Sequence, residues 1–493
     1  MKLSVVMMNR LILLVFLITQ CGYCLAQPAL NERLQFITAN DTLSRAQWGI
    51  FAQYVDDGTV LLEYNHDYPL APASGLKALT TGLALHTLGP DFRFETDLYL
   101  DGKISRSGVL NGNILIRGGG DPTLGSDLVP GSTGLDSLMR RWTNAVKARG
   151  IKKITGAVIA DISLFDGQVL PDYWPWTDMG NYYGAATNSL CINDNLYYLT
   201  FKPGQVAGDP AQVLRCEPEI PGLKFENHMR TGPIGSGDNG YIYCAPRQYL
   251  ATLRGTVPAG VDEFTIKGSI PDPALFAAQY LSGRLAAAGI TVNGRANADS
   301  GPRNYDRLEL VDRVSSPSLI AIINLVHQKS VNLYAEQLLK ITAEVTSDTG
   351  SIDQGLKLLY AMFDSLGIER FGLELYDGSG LSRTNQISVR QFSAFLRAMA
   401  DLPDFEQYLT SFSLAGDPAG IGFLKSFGSG TELAFNGRIK TGLINGARSH
   451  SGYLRTRSGR LVTFSMICNN YPVPTSRINR IHERLLIELA QLP

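Results

Sequence analysis

Ser74 and Lys77 stand three residues apart in Ala71-Pro72-Ala73-Ser74-Gly75-Leu76-Lys77-Ala78-Leu79. The chemistry open to such a pair is nucleophilic catalysis. A serine hydroxyl is a weak nucleophile until a neighbouring base takes its proton. Lysine, ordinarily near pKa ~10.4, is such a base only where its neutral form is favoured. Burial and a second cation both push that way, and the positive end of a helix adds to the push and favours a developing oxyanion. Two more groups follow along the chain, Ser330-Val331-Asn332 and Lys440-Thr441-Gly442. Each of the three groups is common by itself. Found together in this order they are not.

The surrounding pattern supplies elements able to position them. Pro72 suits a helix boundary, and Leu76, Leu79 and Leu83, with Ala84 and Leu88 near that stripe, repeat at helical spacing. Ser74 and Lys77 therefore share a face on the first turns. Strands are expected at 48–54 and 60–64, joined by the turn sequence Asp56-Asp57-Gly58-Thr59. Helices are expected at 319–328, 333–342, 354–366, 389–402 and 405–409, with Lys440 on a strand and strands at 452–456 and 461–469. Ile478, Ile481, Leu485 and Leu489 give a closing helix that packs on the sheet. Between the first two groups lies a long insert, with strands at 92–100, 109–117 and 154–161 and helices at 135–148 and 273–288. Its aromatic segments, Tyr173-Trp174-Pro175-Trp176 and Tyr182-Tyr183, suit packing between domains better than sugar stacking. Gly235-Ser236-Gly237-Asp238-Asn239-Gly240 spells a dinucleotide fingerprint, but a strand follows where that motif needs a helix, so it reads as a turn.

A chain of 493 residues can bury several cores. Its formal charge of −1, with no block of like charges, argues against nucleic acid or a membrane surface as partner. Lys2 and Arg10 precede the apolar run 11–18, which reads as a secretory signal over 1–26, cleaved after Ala26. That run is too short to span a membrane. Bulky Gln20 and Tyr23 disfavour lipidation of Cys21 or Cys24. The expectation is an exported, periplasmic protein, soluble or loosely held to the envelope, whose chain continues with a helix over 30–40. Cys191, Cys216, Cys244 and Cys468 remain after cleavage. Their spacing is not that of a metal site. Most read as buried thiols, and Cys216 with Cys244 is the first candidate for a disulfide.

The ordered trio Ser-x-x-Lys, Ser-x-Asn, Lys-Thr-Gly is the catalytic set of serine β-lactamases and penicillin-binding proteins, and the chain resembles that group. It is most similar to the low-molecular-mass class C penicillin-binding proteins, the D-alanyl-D-alanine carboxypeptidase/endopeptidases of the penicillin-binding protein 4 type. The long insert carries this resemblance, with Gly89-Pro90-Asp91-Phe92-Arg93-Phe94, Gly120-Asp121-Pro122-Thr123-Leu124, Trp174-Pro175-Trp176 and Asp377-Gly378-Ser379-Gly380-Leu381-Ser382-Arg383. The resemblance implies an α+β fold: a β-lactamase/transpeptidase-like domain (27–90 and 310–493), an antiparallel sheet with helices on both sides. A mostly β insert over 91–309 would split it, with one domain nested in another at roughly 104–170.

It also implies roles. Ser74 would attack the bond between two D-alanines, or the cross-link to a diamino acid, with Lys77 as base. Ser330 and Asn332 would relay protons and hold the substrate amide. Lys440 would keep Lys77 neutral and, with Thr441, bind the terminal carboxylate. The strand at Gly442 and Leu443 would complete the substrate site, with the backbone N–H groups of Ser74 and Leu443 as oxyanion hole. Asp161 and Arg383 would hold the free end of the diamino acid. The partners implied are peptidoglycan stem peptides and cross-links, with β-lactams as covalent inhibitors and no cofactor. Gly75, Val331 and Leu443 depart from the family pattern. The other readings are a β-lactamase-like hydrolase, for which no glutamate segment suited to fast deacylation is found, and a non-catalytic cell-wall binding protein. A Ser-His-Asp hydrolase lacks its Gly-x-Ser-x-Gly elbow, which leaves His327 and His450 as structural residues.

Overall fold

Two strands from the beginning of the chain and four from its end make one antiparallel sheet. Its order is Ser413–Leu414, Arg438–Ile444, Ala447–Arg455, Leu461–Asn469, Gln47–Tyr54, Val60–Tyr64. The computed structural model describes Leu34 and residues 43–420 and 422–493. The expected signal at 1–26 and, apart from Leu34, the expected helix at 30–40 lie outside the described residues.

Side chains alternate across a strand, and here both faces are covered. Trp48, Ile50, Ala52 and Tyr54 point to one side and pack with Ile478, Leu485 and Leu489 of the C-terminal helix Thr475–Ala490. The closing helix is thus a core element, as its spacing predicts. Phe51 points to the other side, into a cluster with Leu79 and Leu83 of the helix Lys77–Leu88 and residues of Leu319–Lys329, Asn332–Ser347 and Val389–Met399. Helices on both sides of an antiparallel sheet are the α+β arrangement expected.

The insert is built on a second, seven-stranded sheet. It combines Glu95–Ile104, Val109–Arg117, Lys153–Ile154 and Val158–Asp161 with Thr291–Val292, Asn297–Asp299 and Glu309–Ser315. Helices Leu135–Ala148 and Pro273–Ala287 contribute Trp142, Val146, Phe276 and Leu281 to its core. Strands between residues 196 and 269 form two further sheets.

Three expectations change. The segment enclosed by another is 196–269 and not 104–170, because Lys153–Ile154 and Val158–Asp161 pair in parallel with strands some 140 residues later. The single strand expected at 154–161 is two, broken at Thr155-Gly156-Ala157. Cys216 and Cys244 are both free thiols. They belong to different sheets, Cys216 within Gln212–Glu217 and Cys244 just beyond Asn239–Tyr243. Each donates to a nearby backbone carbonyl, Cys216 to Pro218 at 3.5 Å and Cys244 to Gln248 at 3.2 Å. The glycine-rich run at 235–240 leads into the strand Asn239–Tyr243, as a turn should.

Candidate active site

Ser74 sits in a single 3₁₀ turn, Ala73–Leu76, that runs directly into the helix Lys77–Leu88. The chain enters through Ala73 at φ 48°, in the left-handed region, an uncommon conformation for a residue with a side chain. Three residues per turn eclipse positions i and i+3, and Lys77 Nζ lies 2.9 Å from Ser74 Oγ.

Lys77 is fully buried. Its Nζ also lies 2.6 Å from Asn332 Oδ1 and 2.6 Å from the Ser379 carbonyl oxygen. Burial pulls its pKa down to about 7, while the charges of Asp377 and Glu336 push the other way. Of the two causes expected from sequence, burial is therefore the main one. A neutral amine has two N–H bonds and one lone pair. Asn332 and Ser379 take the N–H bonds, which leaves the lone pair facing the Ser74 hydroxyl.

Ser330 and Asn332 occupy a joint between two helices. Ser330 ends Leu319–Lys329 in the left-handed conformation, φ 57°, and Asn332 begins Asn332–Ser347. Asn332 Nδ2 donates to the Tyr183 carbonyl at 2.7 Å, which ties this joint to the insert. Lys440, also fully buried, donates to Ser330 Oγ at 3.0 Å and to the Thr441 carbonyl at 2.8 Å. Burial, Lys77 and Arg448 together push its ammonium well below the usual range. The strand Arg438–Ile444 approaches the nucleophile turn closely through Gly442. A Cβ there would stand 2.5 Å from the Pro72 carbonyl oxygen and 2.3 Å from Ser449 Oγ, so no other residue fits without a shift. Gly75 abuts the same Ser449 Oγ, which itself donates to Pro72 at 2.6 Å.

Two carboxylates given no role from sequence shape this centre. Glu336 lies one turn after Asn332 on the same helical face and accepts the backbone N–H groups of Gly378 and Ser379. Asp377 accepts those of Gly380 and Ser382, along with Asn385 Nδ2 and Trp174 Nε1. The two acids fix the loop that presents the Ser379 carbonyl to Lys77. The signal for Asp377 was its place at the head of the 377–383 motif, and for Glu336 its spacing from Asn332.

A cleft of about 1020 Å³ opens onto Ser74, Ser330, Asn332, Thr441, Leu443 and Arg383. Arg383 Nη1 donates to the Asn445 carbonyl. Asp161 is not in the cleft. It is 1% exposed at the end of Val158–Asp161, where Tyr305 Oη and Ser163 N donate to it and Arg303 lies at 3.5 Å. Its side chain belongs to the insert's own polar interior, which corrects its expected role in substrate binding. The acids that do line the cleft are Asp178 and Asp194, each with a pKa raised by burial. His327 is buried between Thr81 and Ser411 hydroxyls, each at 2.7 Å, and His450 lies against His482. Neither histidine pairs with Ser74. Trp174 against Asp377 and Tyr173 against Tyr376 make the aromatic contacts between insert and site that the sequence favoured.

Comparison with known proteins extends this geometry. A family model described as the D-Ala-D-Ala carboxypeptidase 3 (S13) family matches residues 30–486. A D-alanyl-D-alanine carboxypeptidase of Actinomadura sp. (strain R39) is 28% identical over 466 residues, covering 92% of this chain and 84% of its own. The crystal structure of penicillin binding protein 4 from Haemophilus influenzae superposes with a TM-score of 0.80 at 22% identity, over 94% of this chain and 99% of that one. The same protein complexed with a β-lactam gives 0.76 at 21%, with the same coverage. These two structures share the fold.

Proposed function

Because this chain belongs to the D-Ala-D-Ala carboxypeptidase 3 (S13) family and is a serine-type D-Ala-D-Ala carboxypeptidase, we propose that it works through an acyl-enzyme on Ser74. The observation that carries this reading is the buried Lys77 amine, with a pKa of about 7, 2.9 Å from Ser74 Oγ. Lys77 takes the Ser74 proton as Oγ attacks the carbonyl between the two D-alanines. The backbone N–H groups of Ser74 and Leu443 receive the oxyanion. The proton passes by way of Ser330 Oγ to the departing amine, and the bond to D-alanine breaks. Water then attacks the acyl ester, with Lys77 again as base, and frees Ser74.

Lys440 and Thr441 face the terminal carboxylate, and Asn332 the amide of the stem peptide. Arg383 and Asp178 offer opposite charges to the rest of the substrate. A cleft walled by the insert accommodates a cross-linked peptide, so D,D-endopeptidase action on cross-links belongs to the same proposal. So do export to the periplasm and covalent inhibition by β-lactams. Among the described residues no helix is long and apolar enough to cross a membrane.

The test is mass spectrometry after treatment with a β-lactam. One adduct is expected, on the peptide containing Ser74 and missing in Ser74→Ala. An adduct elsewhere, or none, overturns the assignment. Rapid turnover of the drug in place of a lasting adduct would favour the β-lactamase reading.

A further inference from the structure

Arg448 is a buried cation with no acid beside it. It is 3% exposed, yet it lines the open cleft together with Thr441 and Leu443. It stands on Ala447–Arg455, directly opposite Leu443 of the neighbouring strand, and its neighbour His450 stands opposite Thr441. Residues directly opposite in an antiparallel pair share a face, and positions two apart share it again. The guanidinium therefore lies on the face of the sheet that carries Thr441 and Leu443, while Lys440 and Gly442 face the nucleophile.

All of its protein partners are neutral. Nε donates to Asn479 Oδ1 at 2.6 Å, Nη1 to the Gly442 carbonyl at 3.1 Å, and Nη2 lies 3.1 Å from His450 Nε2. Phe423 covers the guanidinium carbon at 4.5 Å. An arginine has five N–H donors, so two are left over among the described residues. No carboxylate lies within ion-pair distance there. Burying a charge without a counter-charge is costly, and burial lowers this group only to about 10, so it stays charged at neutral pH. Among the described residues nothing supplies its counter-charge, and the cleft it lines is open to a ligand that could. Leu443, opposite, has no side-chain polar atom to offer a ligand.

We propose that Arg448 is the counter-charge for the free carboxylate at the end of the substrate, reaching it from beneath Thr441 and making the site specific for acids over neutral ends. This rests on the reading that the substrate terminates in D-Ala-D-Ala. Arg448 touches no reacting atom. It is a specificity-determining residue that acts on binding.

The test separates binding from turnover by using Ser74→Ala protein, which cannot acylate. Calorimetry compares N-acetyl-D-Ala-D-Ala with its C-terminal amide. A charge-assisted pair makes the acid bind roughly 10–100-fold more tightly than the amide. Arg448→Gln in the same background should remove most of that preference and leave amide binding unchanged, and Arg448→Lys should retain part of it. Thermal melting confirms that each variant is folded. If Arg448→Gln does not fold, Arg448→Lys carries the test, since it too must weaken the acid and spare the amide. An acid preference that survives either substitution, or equal weakening of acid and amide, overturns the inference. If native protein releases no D-alanine from stem peptides while the Arg448-dependent acid preference persists, the proposed activity falls and the carboxylate site stands.

Discussion

Lys77 and Lys340 are both almost wholly buried, and only Lys77 is placed to act as a base on a serine hydroxyl. Lys77 is fully buried in the catalytic centre, and Lys340 is 1% exposed where the Asn332–Ser347 helix meets the insert. Lys340 Nζ contacts Asp166 Oδ1 at 2.7 Å and the Gln168 carbonyl, with the Phe165 ring at 5.5 Å. Burial lowers both amines, but at Lys340 the touching carboxylate works against it. Around Lys77 the acids are kept at one remove. Glu336 and Asp377 turn their oxygens to the backbone of residues 378–382, so Lys77 meets neutral oxygens only. At Lys77 burial is opposed only by acids it does not touch, whereas at Lys340 a touching carboxylate holds the proton on the amine.

The contrast can be broken most sharply by exchanging each amine for an apolar chain. Lys77→Met should slow acylation by a fluorescent penicillin by ~10²–10⁴-fold, whereas Lys340→Met should leave the rate within a few-fold. Similar losses in the two variants would abolish the distinction. Next in size is the partner of the strut. Asp166→Ala strands a buried ammonium and should cost roughly 3 kcal/mol in urea unfolding, the low end for such a pair, because Asp166 is 34% exposed. The pH midpoint of acylation should not move with it. The smallest effect concerns that midpoint. Acylation needs the free amine, so its rate should rise with pH through about 7 and level off above. Glu336→Gln removes a negative charge that holds the proton on Lys77, so the midpoint should move lower. The displacement is small, because burial and Asp377 already keep much of the Glu336 carboxyl protonated near neutrality. A midpoint that rises in this variant would mean that Glu336 does not hold the proton on Lys77.

What could be read from the sequence was what a single turn or strand encodes. Ser74 and Lys77 declare their shared face through a spacing of three, and the periodic run at 135–148 is the helix Leu135–Ala148. The strand that carries Lys440 follows from its own pattern. Contacts made by distant pairing were out of reach. Asp161 ends a strand like any other, and only the packing of Tyr305 and Arg303 reveals that it faces away from the cleft. That Cys216 and Cys244 fall to different sheets has no trace in their separation along the chain. Glu336 owes its importance to a loop some forty residues further on. Arg448 looks like an ordinary polar residue in a strand until the helix Thr475–Ala490 and Phe423 close over it.

The sheet beneath the nucleophile also sets a timetable for making the protein. Gln47–Tyr54 hydrogen-bonds along its whole length to Leu461–Asn469, so an early-made segment waits for one of the last. Closing so large a loop is slow, and the insert, whose strands all lie between 95 and 315, can mature first. A chain halted before residue 461 would contain every reactive side chain and no floor to set them on. Fragments released by a stalled ribosome are therefore expected to be inactive, which penicillin labelling of a chain ended at residue 460 would check.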